Sequence, residues 1–199
     1  MEHRAVLTAP WPRMAEIFTI SLAMMMFEIN LVRLFSVIMW YHLAFFVLAI
    51  ALFGFGLGGL YAQMGRREGH SGHPGRLHAF LPILTACAIM VALLLLVVLP
   101  LNTESTMYQV PRIRWILCAF LISAAPFFFG SIYMAQLLAA RPAEAGRLYC
   151  ADLVGAGLGC VGAMAVLEWF GGLTSPFLIA AVAVLPAFAS GRDAMARRV

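Results

Sequence analysis

Residues 43–62 read LAFFVLAIALFGFGLGGLYA and hold no charged side chain. An α-helix needs roughly 20 mostly apolar residues to cross the hydrocarbon core of a bilayer, and this stretch has that length and character. Where no water is available, every backbone N–H and C=O has to be satisfied within the segment, so a helix forms. Residues 79–99, AFLPILTACAIMVALLLLVVL, repeat the pattern, with Pro82 in the first turn and Pro100 just past the end. Proline is tolerated at both places, because first-turn N–H groups have no intrahelical partner and the helix has ended before Pro100. Residues 115–138 form a third charge-free run, in which Pro126 predicts a kink. Three more stretches complete the set. Residues 14–32 lie between Arg13 and Arg33 and are interrupted by Glu16 and Glu28; residues 148–170 carry Asp152 and Glu168; residues 173–190 contain Pro176 and Pro186.

Composition agrees with this reading. Of 199 residues, 63% are hydrophobic and 11% charged, against about 45–50% and about 25% in soluble domains, and the mean hydropathy is +0.94. A soluble globule is excluded. The expectation is an all-α, polytopic integral membrane helix bundle of about six transmembrane helices, a single domain over residues 1–199 with short connections. The first span does not read as a cleaved signal peptide, because acidic residues bound it and no A-x-A-like site precedes a soluble body.

All 13 basic residues are arginine, and the formal net charge is +4. With six spans, Arg4, Arg13, Arg66, Arg67, Arg76, Arg141, Arg147, Arg192, Arg197 and Arg198 fall on the side of the termini, and only Arg33, Arg112 and Arg114 on the other. The positive-inside rule then puts both termini in the cytoplasm. Trp40, Trp115 and Trp169 share the outer interface and Trp11 the inner, as amphipathic aromatic rings prefer. Arginines so scattered orient helices and do not form the clustered basic face that nucleic acid requires. Cys87, Cys118, Cys150 and Cys160 lie in or beside apolar runs without C-x-x-C spacing, so neither a disulfide framework nor a zinc framework is expected.

Two glycine patterns stand out. Gly54 and Gly58 in the second span, and Gly155 and Gly159 in the fifth, are small-xxx-small pairs that let helix backbones approach closely. The fifth span resembles the opening of a nucleotide fingerprint, but no strand precedes it and the apolar helix runs on through the glycines, so packing is the better reading. Asp152, Gly155, Ala156 and Gly159 fall at i, i+3, i+4 and i+7, which sets the carboxylate on the small-residue face. It serves either as an interhelical anchor or as part of an ion or substrate site. Glu28 lies roughly 21 Å along its helix from Met14, at about 1.5 Å per residue, with Asn30 and Arg33 nearby. A carboxylate at that depth has to pair, protonate or serve a function. Glu16 and Glu168 flank their spans and read as interface anchors.

Other chemistry is weaker. His70, His73 and His78 occupy a Gly-rich, Arg-rich loop without metal-ligand geometry, and His42 beside Trp40 reads as an interfacial ring. Met24, Met25 and Met26 are soft ligand types, but consecutive helical residues diverge by about 100°, so they are expected to face lipid or to pack in the core. No nucleophile–base or paired-carboxylate arrangement has recognisable catalytic spacing, and no cofactor or metal is expected.

Two stretches resemble a known family. They are Phe27 to Ala62, FEINLVRLFSVIMWYHLAFFVLAIALFGFGLGGLYA, and Gly146 to Gly172, GRLYCADLVGAGLGCVGAMAVLEWFGG. They are similar to the membrane domain of bacterial spermidine synthase-like proteins. That family has an E-x-x-x-x-R pattern in a first helix, here Glu28 and Arg33. A Gly-rich second helix follows, here Gly54, Gly56, Gly58 and Gly59. A later helix opens with a G-R-L-Y-x-A-[DN]-x-x-G-x-x-L-G segment, here Gly146, Arg147, Leu148, Tyr149, Ala151, Asp152, Gly155 and Gly159. Between these stretches the chain matches only in hydropathy. Many members carry a soluble aminopropyltransferase-like domain and some resemble transporter halves; six spans leave no room for that domain in these residues, so the resemblance does not carry over aminopropyl transfer. It implies a multi-pass protein of the bacterial inner membrane.

The residues leave several functions open. The first is a transporter-like bundle in which Glu28, Asp152 and Arg33 form a polar site for a small cationic solute. The cation preference comes from the carboxylates and an amine-like solute from the resemblance alone. The second is a non-catalytic structural or assembly subunit of a larger membrane complex, or the membrane half of a split spermidine synthase-like protein, with Gly54, Gly58, Gly155 and Gly159 serving helix docking. A membrane enzyme without a recognised motif is the third. Expected partners are the lipid bilayer, a membrane or soluble protein and the solute, with no nucleic acid.

Overall fold

A computed structural model describes residues 11–38, 44–67, 76–98, 111–140 and 142–196. The described elements are α1 (Trp11–Ile38), α2 (Ala44–Arg67), α3 (Arg76–Val98), α4 (Pro111–Ala140), a 3₁₀ turn at Pro142–Glu144, and α5 (Ala145–Ala196). No strand occurs among the described residues. All five α-helices are long and apolar enough to cross a membrane. α1 and α4 extend beyond their apolar runs at both ends, whereas α2 starts at Ala44 and α3 ends at Val98, one residue inside theirs.

α1 is the centre of the bundle. It packs chiefly on α5, α2 packs on α4, and α3 packs on both α4 and α5. The α1–α4 pairing is antiparallel: Met24 meets Gly130, and the rings of Phe27 and Phe127 lie 5.5 Å apart. The α1–α5 pairing is parallel, since Gly155 sits on Phe18, Gly159 on Leu22 and Met25, and Gly172 near Leu34. Ile17, Ile20, Leu31, Ile89, Phe127 and Tyr133 are among the side chains of the interior. Large apolar side chains such as Phe45, Leu52, Met164 and Trp169 point outward, the arrangement expected where the surrounding solvent is lipid.

The two glycine pairs are consumed inside the chain. A Cβ on Gly54 would come within 2.7 Å of the Ala124 carbonyl oxygen, and one on Gly58 would strike the Phe128 carbonyl. On α5, a Cβ on Gly155 would strike the Phe18 carbonyl, and one on Gly159 would lie 2.8 Å from that of Leu22. Backbone approaches this close are open only to glycine, and they fix the axial register of α2 on α4 and of α5 on α1.

α5 is interrupted. Gly171 has φ 74° and ψ 170°, with helix on either side, and glycine enters that region of φ without a Cβ clash. Four residues along from Gly172 stands Pro176, which has no N–H for the Gly172 carbonyl to accept. Asn30 Nδ2 donates to that carbonyl at 3.3 Å, as does the Ser175 hydroxyl at 3.3 Å, and Asn30 Nδ2 also donates to Ser175 Oγ. Asn30 and Ser175 are buried. The break is thus locked to α1 by a neutral amide. α4, by contrast, runs helically through Pro126.

Candidate functional site

A cavity of about 400 Å³ lies between α1, α4 and α5 with one contribution from α2. From α1 it takes Ser21, Met24, Met25 and Glu28, and from α4 Ser131, Met134, Ala135 and Leu138. Both sets have the spacing i, i+3, i+4, i+7, one face of a helix over two turns. α5 adds Asp152 and Ala156, and α2 adds Phe55. The two acids singled out in the sequence, Glu28 and Asp152, therefore line one cavity although they belong to different helices. Both are half-buried.

Local folding explains their placement. Gly155 and Gly159 draw α5 onto α1, and Asp152 stands one turn before Gly155 on the same face. The Ser21 hydroxyl donates to the Asp152 backbone carbonyl at 3.0 Å, which fixes the level of Asp152 along α1. On the other wall, the Ser131 hydroxyl donates to the Phe55 carbonyl at 2.8 Å and ties α4 to α2. The cavity is thus framed by helices whose register is set by glycines and serines.

The other expected positions separate. Arg33 is exposed and does not line the cavity; five residues beyond Glu28, it points well away from it. Gly54, Gly58, Gly155 and Gly159 are packing residues, as their contacts show. Glu168 is exposed. Glu16 differs from its expected place at an interface: it is buried, and the Tyr133 hydroxyl donates to its Oε2 at 3.2 Å. The reason is that α1 begins at Trp11, which carries Glu16 more than a turn inside the helix and against α4. Met24 and Met25, expected to pack, do so in part, Met24 against Gly130 and Met25 against Gly159, but both also face the cavity with Met134. Adjacent residues of α1 can share it because the cavity spans a broad arc of the helix. Trp40, His42, His70 and His73 lie outside the described residues, as does the side chain of His78.

Among the described residues, no three His, Cys, Asp or Glu side chains converge to hold a metal ion, and the four cysteines are free. The cavity wall is mostly thioether, aromatic and aliphatic, with hydroxyls at Ser21 and Ser131 and a carboxylate on each of α1 and α5. Such a wall can hold the apolar body of a small molecule while the carboxylates attract positive charge, because an anionic group removed from water demands a counter-charge or a proton. Comparison of the chain with protein-family models, with curated proteins and with solved structures finds no match. The fold and site define the class on their own: a bundle of helices long and apolar enough to cross a membrane, with a cavity that two carboxylates help to line.

Proposed function

We propose that this chain is a multi-pass protein of the bacterial inner membrane that binds or passes a small cationic, amine-like solute through the cavity between α1, α4 and α5. The observation that carries the proposal is that Glu28 and Asp152, two ionisable groups within apolar helices, line the same cavity. Ionisable groups within spans tend to face such cavities and mark solute or ion paths. The amine-like character rests on the resemblance to the membrane domain of spermidine synthase-like proteins. The proposed topology has six spans with both termini cytoplasmic. A straight helix over Ala145–Ala196 would extend roughly 78 Å at about 1.5 Å per residue, against about 30 Å of hydrocarbon. The break at Gly171 supplies a place for the chain to turn back.

Purified protein in liposomes should take up radiolabelled methylammonium, and Asp152→Asn should abolish uptake while leaving the thermal midpoint in detergent unchanged. Unchanged uptake by the variant would remove Asp152 from the site. The assembly-subunit reading is weakened by the glycine pairs, which are used within the chain. It would be restored by a stoichiometric polypeptide found by mass spectrometry of the protein isolated in mild detergent.

A further inference from the structure

Glu28 and Asp152 stand far apart along the cavity. Gly155 packs at Phe18, ten residues before Glu28, which is about 15 Å of α-helix. Asp152 lies a turn before Gly155 on the parallel helix α5, so it is set towards the end of the bundle where α1 and α5 begin, and Glu28 lies deeper. Carboxylates so separated cannot close on one small ion. Met24 and Met25 stand one turn from Glu28 on the same wall, whereas a hard metal cation needs several oxygen atoms converging within about 2–3 Å of it. A proton needs no such shell, and it neutralises a carboxylate that apolar surroundings disfavour as an anion.

The two directions away from Glu28 differ. Towards Asp152 the cavity wall includes Ser21 and Ser131, whose hydroxyls each donate to a backbone carbonyl and keep oxygen lone pairs for water. In the opposite direction α1, α2 and α4 are joined by rings. Phe27 and Phe55 each lie 5.5 Å from Phe127, and further along Phe46 lies 6.4 Å from Phe35 and 5.2 Å from Phe120. Phe27, Phe35 and Phe127 are buried, and packed rings offer water no hydrogen-bond partners.

We infer that Glu28 is a proton-binding site that exchanges with the aqueous phase only at the Asp152 end, the phenylalanines closing it from the other. A hydronium ion entering the cavity gives its proton to a carboxylate oxygen of Glu28, leaving water and the neutral acid, and the reverse step returns it. The inference rests on the proposed role of the cavity as a cation path and adds the proton that a cationic solute has to displace, since one carboxylate does not hold both. Among the described residues, Asp152 is the other titratable side chain on the cavity wall; Arg33, Cys160 and Glu16, which accepts from the Tyr133 hydroxyl, do not line it.

The test is labelling of the full chain by dicyclohexylcarbodiimide, an apolar reagent that adds to a carboxyl group in its protonated form, in sealed inside-out and right-side-out vesicles. Mass spectrometry locates the label, so Glu28 and Asp152 are read separately. An N-terminal tag marks the face where α1 begins, and its accessibility to protease gives the orientation. The pH is stepped from acid to alkaline on one face while the other is held near neutrality. Labelling at Glu28 should fall on the order of tenfold when the face bearing the tag is made alkaline, and stay constant when the opposite face is stepped. Labelling that follows the opposite face, both faces or neither would overturn the inference. Sided labelling without methylammonium uptake would retain the proton site and overturn the solute reading; uptake with unsided labelling would do the reverse. The wild-type chain decides the matter, so no variant has to fold.

Discussion

Glu28 and Asn30 stand two positions apart on α1, yet Glu28 faces the cavity and Asn30 is sealed between α1 and the break in α5. Both are polar groups within an apolar helix, and the difference lies in what surrounds them. The Asn30 amide is matched by a carbonyl that Pro176 leaves without its helical donor, and by the Ser175 hydroxyl. Its Nδ2 is committed, while Oδ1 is buried with no hydrogen-bond partner among the described residues. Glu28 has empty volume before it. A neutral amide closed onto backbone is a structural device. A carboxylate beside open space is available to a solute.

That contrast can be broken by substitution. Asn30→Leu should show the largest loss of stability, about 1–2 kcal/mol, since both interhelical hydrogen bonds go and the Gly172 carbonyl keeps only the Ser175 hydroxyl; thermal unfolding in detergent reads it. Ser175→Ala should cost less, about 0.5–1 kcal/mol, because Asn30 keeps the carbonyl. Glu28→Gln should leave stability within about 0.5 kcal/mol of wild type, as a polar side chain of the same shape still faces the cavity. Arg33→Gln should be smallest in both stability and methylammonium uptake, its side chain being exposed and outside the cavity. A stability loss for Glu28→Gln equal to that of Asn30→Leu would erase the distinction and make Glu28 a structural residue.

Packing shows a parallel lesson. Gly155 and Gly159 on α5 read as a close-contact face from spacing alone, and that face meets α1 at Phe18 and Leu22. The spacing did not name the partner helix. Similarly, Ser21, Met24, Met25 and Glu28 share an i, i+3, i+4, i+7 face that was present in the sequence, but nothing local told that face from one against lipid or against a core. Glu16 is the clearest case. A carboxylate near the start of an apolar run ordinarily sits at the interface, whereas Tyr133 on α4 gives it a hydrogen-bond donor inside the bundle. The donor is supplied by a distant part of the chain, so no windowed reading could find it.

By itself the sequence determined an all-helical chain with runs long and apolar enough to cross a membrane, and the two glycine pairs that make close helix contacts. Hydropathy, proline and glycine act locally, through the transfer of side chains from water and the sterics of one or two turns. Only the tertiary structure decided that Glu28 and Asp152 face one cavity, that Arg33 does not, and that Asn30 closes the break at Gly171. Those outcomes depend on rotation and register between helices, which are set by the sum of many close contacts across the bundle. No single segment carries that information.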